Sequence, residues 1–261
     1  MVSCTFGKFS TKLILFGTLL VLFKSTESAF KKPSWVKPCR NSDGPTDDCV
    51  LRRINEAQPN VIKGFPKYRI PSLDPLNVTE ITLGTGSKQV GLSLKLFDAQ
   101  IHGLRMVEMF KVKIDWEKGH CIVYWRNLPG VRVIGQYVMD GMVLVLPMKG
   151  SGDGNITLTD LSGDFSFKFD LVMKNEKHYG KVTSSKVNMS VGKAYFKFKN
   201  LFNGDRVLGE QMNKFMNENY AEVVREFQPA MENTFNVVFR QLMQNIFDLA
   251  SVEDIFPDMF Q

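Results

Sequence analysis

The stretch from Arg206 to Ala250 constrains the chain more than any other. Apolar side chains recur at Leu208, Met212, Phe215, Met216, Tyr220, Val223, Val224, Phe227, Met231, Phe235, Val238, Phe239, Leu242, Ile246 and Leu249. That is the three-and-four spacing of a helix with one broad apolar face. A continuous helix of this length runs roughly 65 Å, well beyond the three or four turns of an average globular helix. Pro229 removes a backbone donor and crowds the preceding turn, so a kink or short break is predicted near Phe227 and Gln228. The face is too wide for a heptad seam and carries Phe, Met and Val where a zipper would use Leu and Ile, which puts a coiled coil second.

So wide a face needs a cover, and the middle of the chain supplies strands. From about Glu80 the apolar period switches to two. Val90, Leu92, Leu94 and Leu96 alternate with small or charged residues, as do Phe110, Val112, Ile114 and Trp116. Val131, Val133, Tyr137, Met139, Val143 and Val145 continue through Gly135 and Gly141, which suggest bends or bulges in a curved sheet. The run GSGDGN, Gly150 to Asn155, reads as a hairpin turn. Phe165, Phe167, Phe169, Leu171 and Met173 make a further strand, then Val187, Met189 and Val191, then a last pair around Tyr195, Phe196 and Phe198. Short connections favour antiparallel neighbours. A closed barrel would leave the long helix nothing to bury against, so the economical α+β arrangement is a curved antiparallel sheet rolled around the helix.

Ahead of the strands, Thr46 or Asp47 caps a short helix, CVLRRINEAQ, ending before Pro59. Pro66, Pro71 and Pro75 then imply an extended, turning segment in which Asp74-Pro75 is a turn signal and not a catalytic carboxylate.

At the N-terminus, Lys8 and Lys12 precede an apolar run from Leu13 to Phe23, with small residues at Thr26 and Ser28. This reads as a secretory signal peptide over residues 1–28, because the run is too short for the roughly 20 residues that span a bilayer. A single secreted domain over 29–261 is expected to follow. Removing Lys8, Lys12, Lys24 and Glu27 leaves 30 basic and 26 acidic residues, a net charge of +4. The signs are interspersed, with no arginine and aromatic cluster, so a solvated surface is expected and nucleic acid is not a partner. In an oxidising compartment Cys39 and Cys49 close a small loop, and Cys121, in HCIVYW, is left as a buried inert thiol.

Catalytic patterns are missing. His102, His120 and His178 stand apart, and the sequence has no H-E-x-x-H, C-x-x-C, G-x-S-x-G or Walker pattern. No enzyme, metal or cofactor is therefore expected. The sequons at Asn77, Asn155 and Asn188 fit a secreted glycoprotein, Asn188 least because it lies in a strand. The excess is in soft apolar residues, 21 Phe and 13 Met, which either fill a core or line an adaptable cavity.

These features, taken in order, resemble the takeout and juvenile-hormone-binding protein family of insects. The resemblance is carried by the leader, Cys39 and Cys49, GFPKYRIPSLDPLNV from Gly64 to Val78, the HGL of His102 to Leu104, and the stretch from Gly135 through Tyr137 and Met139 to Gly152 with its GSGDGNITL continuation. It implies a long helix wrapped by a highly curved sheet, with a tunnel for hydrophobic ligands. Moth hormone binders carry a second disulfide, and Cys121 has no partner, which points to the takeout branch, whose members are assigned feeding, circadian, chemosensory or male-behaviour roles.

The expectation is a secreted, monomeric carrier of a terpenoid such as juvenile hormone, or of a fatty-acid-like lipid. Val133, Tyr137, Met139, Phe167, Phe169, Phe215, Met216, Val223 and Phe227 are the candidate lining, with Tyr137 as a hydrogen-bond handle. The alternatives are an extracellular signalling protein acting through its surface, and a transfer protein that docks on membranes through Lys31, Lys32 and Lys37 without inserting.

Overall fold

The structure is a computed structural model that describes residues 32–84, 91–144 and 146–260. The leader peptide and Lys31 lie outside the described residues. Seven antiparallel strands are described: β1 (Leu76–Gly84), β2 (Ser93–His102), β3 (Glu108–Asp115), β4 (His120–Asn127), β5 (Val131–Val143), β6 (Leu146–Lys174) and β7 (Lys177–Phe198). The helices are α1 (Thr46–Lys63), α2 (Arg206–Glu218), α3 (Tyr220–Phe247) and the short α4 (Val252–Ile255).

β6 is the spine of the sheet. Along one edge its first half pairs with β5, from Val143↔Leu146 to Val131↔Leu158, and its second half pairs with β4, from Asn127↔Leu161 to His120↔Lys168. Its other edge pairs with β7 almost to the tip. The branches β5-β2-β1 and β4-β3 thus leave the spine at different points. Strand twist then carries them in diverging directions, and the sheet curls. α3 packs against β7, β1 and β6, so the sheet wraps the helix, while α1 packs on β3.

Side-chain hydrogen bonds seal two edges of this sheet. On α2, Asn213 accepts from the Phe198 N–H at 2.8 Å and donates to the Phe198 carbonyl at 2.9 Å; Asn217 does the same for Phe196 at 2.7 and 2.9 Å. Further along, Glu232 accepts from Met189 N–H and Gln228 donates to its carbonyl, and Gln244 accepts from Val182 N–H and donates to the Gly180 carbonyl. The helices thus stand in for a missing neighbour strand along β7, satisfying polar groups that burial would otherwise strand. α1 treats β3 likewise: Asn55 and Gln58 donate to the Met109 and Val107 carbonyls, and Asp47 accepts from Ile114 N–H.

Several expectations need correction. The long helix breaks at Asn219 (φ −111°, ψ 31°), and Pro229 lies inside α3. At the break the Asn219 side chain donates to the Phe215 carbonyl four residues back, bonding that competes with the helix ladder. α1 does not end before Pro59; it runs to Lys63 and stops at Gly64, whose φ of 82° suits glycine. Neither Thr46 nor Asp47 caps it, since Pro45 holds that position and Asp47 is turned to β3. Pro66–Tyr68 forms a 3-10 turn in the segment expected to be extended. GSGDGN is not a turn: it lies within β6, with Asp153 opposite Gln136 and Met139 opposite Gly150. Gly150 is there for closeness, because a Cβ would stand 2.7 Å from the Tyr137 hydroxyl and 2.9 Å from the Leu201 Cα. The reversal out of β6 is Asn175-Glu176, both left-handed (φ 48° and 63°), the two-residue geometry that matches strand twist. The residues after Phe165–Met173, read as two strand pieces, are the single strand β7.

Candidate functional site: an apolar cavity between helix and sheet

The second half of α3 presents Phe235, Phe239, Met243 and Phe247 toward β3, β4 and β6, where Val112, Cys121, Phe165, Phe167 and Phe169 face them. α1 closes the same space with Val50, Leu51 and Ile54. These surfaces do not meet completely. Between them lies a cavity of about 440 Å³, lined by the inner faces of β1 to β6, by α1 and α3, and at one end by Ala250, Val252, Ile255 and Phe256. It falls in the ~300–1,000 Å³ range of pockets that take drug-sized molecules.

The wall is aromatic at the end nearest the C-terminus. Trp116 meets Phe169 edge-on at 5.8 Å and Phe256 at 4.9 Å, and Phe247 stands 5.8 Å from both Phe167 and Phe169. Gly180 lets Phe247 lie against the backbone of β7, since a Cβ there would stand 2.5 Å from its ring. Aliphatic side chains, among them Leu76, Val78, Leu104, Val131 and Val133, line the other end. The two cationic side chains of the lining are both paired: Lys37 with Glu56 at 3.0 Å, and Arg53 with Glu56 at 3.2 Å and Asp43 at 3.5 Å. Thr234 donates to the Ala230 carbonyl. Cys121 also lines the space; burial, with the Asp47 carboxylate adding to it, pushes its thiol up to about 12, so it stays protonated and unreactive.

Of the residues expected to line a ligand site, Val133, Phe167 and Phe169 border this cavity. Met139, Met216, Val223 and Phe227 instead surround a separate void of about 40 Å³ among packed side chains. Phe215 packs, half-buried, against that same core. Tyr137 is buried beside Phe198, its ring 4.8 Å away, and its hydroxyl donates to the Lys199 carbonyl at 2.8 Å, so that proton is engaged within the fold. Sequence reasoning missed the second half of α3 and the inner face of α1. The signal that pointed there was the Phe165, Phe167, Phe169 ladder.

Cys39 and Cys49 form the disulfide that ties the N-terminal arm to α1. Among the sequons, Asn77 is exposed on β1, Asn155 is half-buried between Ile134 and Lys197 in mid-sheet, and Asn188 donates to the Asp164 carboxylate. The arm lysines expected to meet a membrane are engaged: Lys32 donates to the Asp254 carbonyl and Lys37 pairs with Glu56. No described helix is long and apolar enough to cross a membrane.

A sheet curled on a long helix around an apolar chamber is the architecture of a hydrophobic-ligand binder. The chain belongs to the haemolymph juvenile hormone binding protein family, whose model matches residues 18–257. It is 22% identical to the circadian clock-controlled protein daywake of Drosophila yakuba, over 95% of this chain and 96% of that one. It is likewise 22% identical to a putative beta-carotene-binding protein of Schistocerca gregaria, over 83% and 86%. The fold matches the crystal structure of Epiphyas postvittana Takeout 1 with a TM-score of 0.73 at 23% identity, covering 81% of this chain and 96% of that one.

Proposed function

We propose that this chain is a secreted, non-enzymatic carrier, a single domain over 29–261, that holds one small uncharged apolar molecule between α3, α1 and the sheet. The observation that supports this reading is the 440 Å³ apolar cavity, whose two cationic wall residues already have carboxylate partners. A buried carboxylate guest would have no free counter-ion there, whereas a terpenoid or a neutral fatty derivative needs none. The locust relative is named for an isoprenoid, which agrees with a terpenoid guest. Burying about 15 carbons at ~0.8 kcal/mol per methylene bounds the gain near 12 kcal/mol, and drug-sized ligands realise about 0.3 kcal/mol per heavy atom. The two figures bracket the affinity between sub-millimolar, at about 5 kcal/mol, and nanomolar, at about 12 kcal/mol. Val133, Phe167, Phe169, Phe239 and Met243 are the proposed contacts, and Asn77, on an exposed strand, is the proposed glycan acceptor.

Two measurements test the reading. Native mass spectrometry of protein purified from its own tissue is expected to show a stoichiometric apolar guest, and repeated emptiness would overturn the carrier. In vitro, Phe167→Trp adds bulk to the cavity wall and is expected to weaken binding of the apolar dye N-phenyl-1-naphthylamine about tenfold while the melting temperature barely moves. Unchanged affinity together with a large loss of stability would place Phe167 in a filled core.

A further inference from the structure

An apolar track leads out of the cavity along one face of β6. Phe165, Phe167 and Phe169 are 5%, 3% and 8% exposed, Leu171 at the rim is 36% exposed, and Met173 beyond it is 67% exposed. Leu171 still lines the cavity, so the exposed part of the track is continuous with the interior. Met173 stands opposite His178 across the β6–β7 hairpin, and the His178 ring stacks on Phe260 at 4.6 Å; Phe260 is itself 49% exposed. Cross-strand partners share a face of the sheet, so Met173 and Phe260 form one patch at the hairpin tip.

The basic side chains at this hairpin tip are each set against a carboxylate. Lys174 meets Asp248 at 3.6 Å, Lys177 meets Asp254 at 3.0 Å, and His178 Nδ1 lies 2.7 Å from Glu253. Two of these carboxylates belong to α4, whose Val252 and Ile255 form part of the cavity's end wall. The rim therefore offers apolar area with its lysines already paired.

We propose that the β6–β7 hairpin tip and the C-terminal segment form a docking surface for a zwitterionic lipid bilayer, and that the apolar guest passes between bilayer and cavity at this end. A water-insoluble guest leaving the cavity along Leu171 and Met173 needs an apolar phase at the end of the track, and a bilayer provides one. Because the lysines are paired, contact depends on Met173 and Phe260 entering the interface and not on anionic headgroups. The inference takes its purpose from the carrier reading, but its readout is independent of it.

The test is co-sedimentation of the full chain with phosphatidylcholine vesicles. Wild type is expected to pellet with them. The Met173→Glu/Phe260→Glu double variant, altered at two exposed positions, is expected to lose about tenfold or more in vesicle affinity. Its affinity for N-phenyl-1-naphthylamine in vesicle-free buffer should be unchanged, and its transfer of the dye to vesicles should slow in proportion to the lost docking. A wild type that pellets without ever taking up the dye upholds the docking surface and fails the carrier. Wild type remaining in the supernatant, a double variant that pellets as wild type does, or pelleting that requires phosphatidylserine overturns the proposal. So does ultracentrifugation showing a wild-type dimer that the double variant abolishes, since the patch then belongs to a second copy.

Discussion

The two ends of the helical rod sit in different surroundings although the same residue types line both. Around α2 and the start of α3, Met212, Met216, Val223, Val224 and Phe227 pack into strands β1, β2 and β5, around a void of only about 40 Å³. Around the second half of α3, Phe235, Phe239, Met243 and Phe247 face β4 and the outer half of β6 across about 440 Å³. The difference lies in how the sheet approaches the helix. Where β5 pairs with β6, glycines such as Gly150 admit close contacts from Tyr137 and Leu201, and the wall closes down. Past Leu158 the partner of β6 changes to β4, and α1 fills the opened side incompletely. Side-chain chemistry alone does not make a cavity here; the branch point in the sheet does.

Substituting one residue type at both ends tests that comparison most strongly. Met216 is 2% exposed in the closed region, and Met216→Ala is expected to cost about 2–5 kcal/mol, read from urea unfolding, with dye affinity unchanged. Met243 already faces empty space on one side, so Met243→Ala is expected to cost only about 1 kcal/mol and to weaken dye binding about fivefold. Equal stability losses would mean that both ends are solid.

A smaller effect is expected where helix meets sheet edge. Asn217→Ala leaves the N–H and carbonyl of Phe196 without their partner, and Gln244→Ala does the same to Val182 and Gly180. Each is expected to cost about 1–3 kcal/mol, with faster amide exchange at Phe196 and Val182 respectively. A similar cost at both sites would show that the hollow end is held by its edge bonds as firmly as the solid end. A negligible cost at Gln244 would leave the aromatic contacts of Phe247 as what holds it.

The chain itself announced much of this architecture. Three-and-four spacing marked α2 and α3, alternation marked the strands, and a helix too greasy to stand alone required a wrapping sheet. What misled was local punctuation read without its partners. Pro229 looked like the break, yet Asn219, whose amide bonds the Phe215 carbonyl, is where the helix divides. Gly150 to Asn155 has the composition of a turn, and only its pairing with β5 shows it to be mid-strand. The lining was legible on β6 and at Val133 but not on the helix, because periodicity gives the apolar face of α3 without the distance to the opposite wall. Polar residues where α2 and α3 meet the sheet, such as Asn213 and Asn217 on α2 and Gln244 on α3, are explained only by the edge of β7.

The smallest expected effect concerns the hollow end's C-terminal closure. Burial works to raise the Glu253 carboxyl, but hydrogen bonds from its own backbone, from the His178 N–H and ring and from Ser251 outweigh it and hold the group down at about 2, against an ordinary 4.5. A carboxylate held low stabilises the fold fully above its ordinary value, and that contribution is lost as pH falls from there through about 2. Wild type is therefore expected to resist urea better than Glu253→Gln at neutral pH, with the gap closing across that acid window. A gap that stays unchanged through that window would mean that the difference at neutral pH does not come from the Glu253 charge. The carboxylate would then play no part in keeping that end wall in place.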